Sequence, residues 1–386
     1  MRTMLIKDLG IIVTGNTPSK SEPEFYNSND IHFIKPDLIG NTGITQINHS
    51  KEYISEKARK KARVVRKNTV LVTCIGNIGK VGFVEVDEVA FNQQINAIIP
   101  NKYVLPRYLA YALLANQQRL ESIANAPVVP IINKTQFENF DLSIHDDLTE
   151  QDKITRILDN ISKELMFRQK QINEYDQLIK SRFVEMFGQD LKGKSIRLGD
   201  LAEVITKGTT PTTLGYDFVD DGVNFIKVEC ITETGKFIKE KMLHINEECN
   251  EKLKRSKLKK DDILFSIAGA IGRTAIVTDD ILPANTNQAL SIIRLRKDVG
   301  LNVEFLNQVF KTDLVAEQIE KRINGVAQMN VSLADIGNLK IIRPTIERQN
   351  EFAKFVQQVD KLKFVVQKSL DETQKLFDSL MQEYFG

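Results

Sequence analysis

Residues 149–188 read TEQDKITRILDNISKELMFRQKQINEYDQLIKSRFVEMFG. Ile154, Leu158, Ile161, Leu165, Ile172, Tyr175, Ile179 and Met186 recur in steps of three and four, with Arg168 and Arg182 in the remaining slots. Such steps put side chains on one face of an α-helix, and a face sustained over five turns or more needs a second helix to cover it. The obvious partner lies at the other end of the chain. Phe352, Val356, Val359, Val366, Leu370, Phe377, Leu380 and Tyr384 follow the same rhythm, interrupted by Lys363 and Thr373. Both segments close on Phe-Gly, at Phe187-Gly188 and Phe385-Gly386, 198 residues apart.

Working outward, the rest of the chain also repeats. Gly15-Asn16-Thr17-Pro18 answers Gly208-Thr209-Thr210-Pro211, and Ile31-His32-Phe33-Ile34-Lys35 answers Val223-Asn224-Phe225-Ile226-Lys227. Thr42-Gly43 and Thr234-Gly235 mark the next turn; Ser55-Glu56 and Asn246-Glu247 read as helix starts ahead of basic runs. The best local match is gapless: Val70-Leu71-Val72-Thr73-Cys74-Ile75-Gly76-Asn77-Ile78-Gly79-Lys80 against Ile263-Leu264-Phe265-Ser266-Ile267-Ala268-Gly269-Ala270-Ile271-Gly272-Arg273. Asn92-Gln93 and Asn287-Gln288 introduce a further apolar strand, Tyr108-Leu109 and Phe305-Leu306 open helices, and each unit is expected to close near Asn133 or Asn330. A repeat this long is a domain, not a solenoid unit. Alternating β-favouring residues predict an α/β (α+β) fold: two similar domains with mostly β cores, joined by two long helices packed as an antiparallel coiled coil. The expected division is 1–147, a spacer helix 148–188, 189–345, and a second spacer helix 346–386. Thr149 to Phe187 would span roughly 58 Å as a helix. Antiparallel packing would relate the domains by an approximate two-fold axis, matching the dyad of duplex DNA.

Composition is that of an ordinary globular chain: 386 residues, 42% hydrophobic, 27% charged, no Trp. No apolar run is long enough to span a membrane, and Met1-Arg2-Thr3-Met4 leads directly into a strand-like segment, so a cytoplasmic location is expected. Cys74, Cys230 and Cys249 show no paired spacing and read as reduced, buried thiols. A net charge of +2 excludes a simple polycation and leaves room for local basic surfaces.

Catalytic motifs are missing. No two prolines are adjacent, which removes the Pro-Pro-aromatic signature of amino-group DNA methyltransferases. Gly76-x-x-Gly79-Lys80 is a fragment of a phosphate loop, with Cys74 in place of its first glycine and Val81 in place of Ser or Thr. Asp190-Leu191-Lys192, the lone Asp/Glu-x-Lys triplet, is far from Pro36-Asp37 and has no counterpart in the other copy. His32, His49, His145 and His244 lack metal-ligand spacing.

The duplicated unit carries Gly-x-Thr-Pro, Asp262-Ile263-Leu264-Phe265-Ser266 running into Gly269-x-Ile271-Gly272-Arg273, the Asn-Gln strand, Pro344-x-x-x-x-Gln349 and the closing Phe-Gly helix. In this order the chain resembles the specificity subunit of type I restriction-modification systems over its whole length. The first copy departs from the pattern at Ile144-His145-Asp146-Asp147-Leu148, which lacks the proline before Glu150-Gln151. The resemblance implies two target-recognition domains, each reading half of a split double-stranded DNA sequence, and helices that set the gap and dock two modification subunits. Restriction subunits would join for cleavage. It also implies a chain that is not itself an enzyme and binds no metal or cofactor, with S-adenosylmethionine, Mg and ATP used by the partners, and no membrane association.

Candidate DNA contacts follow from residue type. Lys57, Arg59, Lys60, Lys61, Arg63, Arg66 and Lys67 form the basic run of the first copy; Lys252, Lys254, Arg255, Lys257, Lys259 and Lys260 form that of the second. A merely solvated helix face is the competing reading of both. Lys80 and Arg273 follow the glycine turn, and Lys35 and Lys227 end matched strands. A structural hairpin and exposed strand-end lysines are the alternatives there. Loop residues Lys20, Asn41, Asn77 and Thr212 are candidates for base reading. The competing functions are a stand-alone DNA-modifying or DNA-cleaving enzyme and a protein scaffold that does not bind DNA.

Overall fold

The computed structural model describes residues 1–124, 129–323 and 330–386. It forms two compact units, Met1–Ile172 with Val365–Gly386, and Asn173–Phe364. Among the described residues no helix is long and apolar enough to cross a membrane.

In the first unit a five-stranded sheet runs in the order Gly10–Thr14, Ile95–Pro100, Val70–Thr73, Val81–Val84, Ile44–Ile47. All neighbours are antiparallel except the last pair. Val70–Thr73 is buried on both faces, which is why its sequence is an unbroken apolar run. Val70 and Val72 pack with the helix Pro106–Ala115, whereas Leu71 faces a second core with Ile34, Val84 and Phe91. A four-stranded sheet, Glu52–Ile54, Ile31–Ile34, Glu88–Phe91, Val64–Arg66, has Ile31–Ile34 parallel to Glu88–Phe91.

The second unit repeats this plan with one outer strand fewer in each sheet. Its sheets run Ala202–Lys207, Leu290–Leu295, Ile263–Ser266, Thr274–Ile276 and Leu243–Ile245, Val223–Ile226, Ala284–Thr286, the last two again parallel. The cores therefore have the mostly β character expected of both copies.

The domains do not close at Asn133 and Asn330. Beyond Asn133 come the helix Lys134–Glu138 and the strand Asp141–Ile144, which pairs with Arg2–Leu5; Lys340–Ile341 likewise pairs with Ile196–Arg197. Nor are those two asparagines counterparts. Ile132 N donates to Cys74 O at 2.9 Å and Val331 N to Ile267 O at 3.0 Å, so Asn133 matches Ser332. Both are N-caps with a reciprocal capping box, to Gln136 and Asp335 respectively.

The two long segments are helices of 40 residues, Leu148–Phe187 and Ile346–Phe385. Their starts are built alike despite the missing proline. Gln151 Nε2 donates to His145 O at 2.8 Å while its Oε1 accepts from Leu105 N; Gln349 Nε2 donates to Pro344 O at 2.8 Å while its Oε1 accepts from Asn302 N. Both glutamines are fully buried and satisfied.

In the first unit Ile154, Leu158, Phe377, Met381 and Phe385 are buried with the helix Pro106–Ala115, and Ile161 and Leu165 pack at the edge of that core. Arg107 pairs with Asp159 and Tyr111 reaches on to Ser162, while ring contacts step back from Tyr108–Phe385 to Tyr111–Phe377. The two helices thus run antiparallel there. In the second unit Asp176 pairs with Lys363 at 2.5 Å, Arg182 with Glu351 at 3.0 Å, and Arg348 donates to Met186 O, again antiparallel. Ile172, Ile179, Phe352, Val356 and Val359 are buried, and Val366 and Leu370 half-buried, as the stripe requires.

The stripe differs from its expected form near the helix ends. Arg182 sits on the rim, 5.9 Å from the Phe355 ring, and the next residue, Phe183, is the buried one. Phe183, Phe187, Met381 and Phe385 were absent from the three-and-four pattern because a straight helix drifts about 20° per heptad and its ends pack on a domain as well as on a helix. Phe183, Phe187, Phe305 and Phe352 form one aromatic cluster with ring centres 4.9–6.4 Å apart. The Phe-Gly ending thereby acquires a cause, since the last turn must deliver an aromatic ring into the core.

Candidate nucleic-acid interface

Two recurring motifs meet on one surface of each unit. In the first, Gly15 N donates to Ile95 O at 3.1 Å and Asn16 N to Phe91 O at 3.0 Å, drawing the Gly-x-Thr-Pro loop onto the Asn92-Gln93 turn. A Cβ at Gly15 would lie 2.2 Å from Asn92 O, and one at Gly208 would lie 1.6 Å from Thr286 O, so no larger residue fits either place. Thr17 Oγ1 donates to Gln93 Oε1 at 2.8 Å, and Thr210 Oγ1 to Gln288 Oε1 at 2.7 Å. Both glutamines are exposed.

The basic segments attach to this same loop. Asn16 Nδ2 donates to the carbonyl of Lys61, and Arg255 Nη2 donates to the carbonyl of Lys207, beside Gly208. Neither segment is one long helix. Glu56–Lys61 is a 3-10 helix whose Ser55 hydroxyl bonds Glu24 O instead of capping it; Glu247–Lys252 is a short α-helix capped by Asn246, followed by Lys254–Ser256 in 3-10 form. The basic residues accordingly fan out from turns. Lys60, Lys61, Arg63, Lys254 and the loop residue Lys20 are exposed and make no ion pair among the described residues. Thr212 is exposed in the same loop as Thr210.

Arg66, Lys67, Lys252 and Lys259 are likewise exposed without an ion pair among the described residues, whereas several other candidate cations are engaged within the fold. Arg59 is clamped between Glu88 and Glu56; these hydrogen bonds raise its pKa, and the bond from Arg59 holds the Glu88 carboxyl below its ordinary value. Lys57 pairs with Glu24 at 3.0 Å, Lys35 with Glu52, and Lys257 with Glu251. Lys227 lies 3.9 Å from Glu229 and 5.1 Å from the Phe218 ring centre.

Lys80 and Arg273 are structural ties. Lys80 is 9% exposed and its Nζ donates to Ile39 O at 3.2 Å; Arg273 Nη1 donates to Ile231 O at 2.8 Å. Ile39 and Ile231 occupy the same place in the two copies, four residues after Lys35 and Lys227. The glycine turn ahead of each cation has left-handed backbone, at φ 79° and 77° for Gly76 and Gly79 and 73° and 87° for Gly269 and Gly272. Its small residues serve a turn that returns the cation to the neighbouring loop.

Asn77, exposed at the tip of this turn, joins Asn41, Lys80, Gln117 and Glu121 in lining an open cleft of about 470 Å³. In the second copy Glu233 and Ala270 stand where the first has Asn41 and Asn77. The glycine turn and its cation recur while the residues at these two positions diverge. Sequence reasoning missed the roles of Gln93 and Gln288; only the coincidence of two repeated motifs hinted that they touch.

A chain with two copies of one α+β domain, each followed by a long helix and each presenting a basic loop surface, has the build of a duplicated recognition module. The chain belongs to the type I restriction modification DNA specificity domain family, whose sequence model matches residues 1–174 and 192–372. It is 30% identical over 174 residues to the type I restriction enzyme EcoBI specificity subunit of Escherichia coli, covering 44% of this chain and 36% of that protein. It is 23% identical over 348 residues to the MjaVIII specificity subunit of Methanocaldococcus jannaschii, covering 84% and 80%. The fold is shared with the crystal structure of the type I restriction-modification S subunit from M. genitalium, at a TM-score of 0.59 and 16% identity over 100% of this chain and 96% of that one.

Proposed function

We propose that this chain is the non-catalytic DNA-recognition subunit of a type I restriction-modification complex, acting in the cytoplasm. Residues 1–147 and 189–345 each bind one half of a split target on double-stranded DNA, and the helices 148–188 and 346–386 set the gap between them. The observation that carries this reading is the pairing of sameness and difference: both units build the same glycine-threonine-glutamine frame beside unpaired cations, yet the exposed Asn41 and Asn77, which line an open cleft in the first copy, are replaced by Glu233 and Ala270 in the second. Shared frames suit shared phosphates, and divergent linings suit different base sequences.

The helices also offer surfaces to the modification subunits. Met166, Phe167, Val365 and Leu376 are exposed in the first unit, and Leu178, Val184, Leu362 and Phe364 in the second. Large apolar side chains this exposed on long helices fit protein docking. Methylation with S-adenosylmethionine, and Mg- and ATP-dependent cleavage by the restriction subunits, belong to the partners. Mapping methylated adenines in genomes with and without this gene and its neighbours tests the function. A split motif that disappears with the gene is the expected result; an unsplit motif, or none, contradicts it.

A further inference from the structure

The Thr–Gln contact has the same geometry in both units although the loops around it have diverged. In each, the threonine hydroxyl occupies the glutamine carbonyl oxygen, at 2.8 Å for Thr17–Gln93 and 2.7 Å for Thr210–Gln288. The glutamine Nε2 makes no hydrogen bond among the described residues, and both side chains are exposed. An amide held by its oxygen is oriented, so its two N–H donors point in a fixed direction, away from the hydroxyl. The flanking Gly15 and Gly208 are buried against Asn92 O and Thr286 O with no room for a side chain, which holds the threonine loop fixed against the glutamine turn.

Positive charge lies alongside. Lys61 is tied by its carbonyl to Asn16, with Lys60 and Arg63 beside it; Arg255 is tied to Lys207, with Lys254 next in sequence. We infer that Gln93 and Gln288 are phosphate anchors, one per half-site, that donate Nε2–H to a DNA backbone oxygen, with Thr17 and Thr210 as their positioning residues. This rests on the proposed DNA-recognition function. A backbone ligand is favoured over a base because a feature kept in both copies cannot discriminate two different half-sites, whereas phosphates are common to both.

The test uses the chain purified with its modification subunits and two labelled duplexes, one carrying the methylated motif and one scrambled. Gln93→Glu and Gln288→Glu keep the acceptor for the threonine and remove the donors. Each is expected to weaken both duplexes by the same factor, about tenfold or more, with the methylated motif and the melting temperature unchanged. Thr17→Val and Thr210→Val should show a smaller loss, again equal on both duplexes. Gln93→Met repeats the measurement should the glutamate variant fail to fold.

Unchanged affinity in the glutamine variants would reduce the contact to a loop brace and overturn the inference. Loss confined to the cognate duplex, or a changed motif, would make the glutamine a base reader and overturn it equally. Failure of the unmutated complex to bind any duplex would instead overturn the DNA-recognition function on which the inference stands.

Discussion

Lys80 and Arg273 show how a residue's type can suggest one role and its surroundings another. A cation after a glycine turn invites a phosphate, but each of these donates to the carbonyl of Ile39 or Ile231. Lys80→Met is expected to lower stability by about 1–3 kcal/mol by leaving a buried carbonyl unpartnered, while the slope of log affinity against log salt stays as it was. Lys61→Ala should do the reverse, reducing that slope by about 0.9 for one lost phosphate contact at little cost in melting temperature. Glu88 supplies a pH dependence. Hydrogen bonding from Arg59 holds its carboxyl low in the folded chain, so its stabilising contribution is complete above the unfolded value of about 4.3 and is lost as pH falls through the lower folded value. Melting curves between pH 6 and pH 3 should therefore drop less steeply for Glu88→Gln than for the unmutated protein. Cys74, which burial pushes up to about 12, should resist alkylation at pH 8 until denaturant is added.

At the scale of elements, what was legible in the sequence follows from whether one local rule acted alone. The helix bodies were readable because Ile154, Leu158, Ile172, Ile179, Val356 and Val359 obey a period that only a covered helix face requires. The ends were not, because Phe183 and Phe385 answer to a domain core that no helical period describes. Asn133 and Ser332 share a capping role through different side chains, so an identity-based match chose Asn330 instead. The strand–turn–cation segment was placed correctly as an element, yet burial of Lys80 depends on a loop forty residues away in the chain and leaves no local trace. Lys363 was visible only as an interruption in the stripe; in the fold it is 6% exposed and paired with Asp176. Asp176→Leu should cost about 1–3 kcal/mol by stranding the buried ammonium, less than a fully buried pair would because Asp176 remains partly exposed. Adding Lys363→Met should restore most of that loss. Urea unfolding of both single variants and the double completes the cycle, and a double variant no more stable than Asp176→Leu would show that the charge on Lys363 is not the source of the cost.

For the molecule as a whole, duplication separates what the two units must share from what each can vary. The buried glutamines at the helix starts, the Thr–Gln contact and the cation ties recur in both units, and each answers a constraint that does not depend on DNA sequence. The residues at Asn41 and Asn77 face no such constraint, being exposed and lining an open cleft, and there the copies differ. If specificity resides in such positions, it is modular. Exchanging residues 1–147 for the matching segment of another family member should then change one half of the methylated motif and leave the other half and the gap untouched. The gap should respond to the helices instead: Leu165→Asp combined with Leu370→Asp puts charge into half-buried positions of the helical stripe and should abolish assembly with modification subunits or alter the spacing. Mapping methylated adenines reads all three quantities in one measurement. A domain exchange that altered both halves would mean that the units do not read independently, and would contradict the modular arrangement that their shared frames and divergent loop residues support.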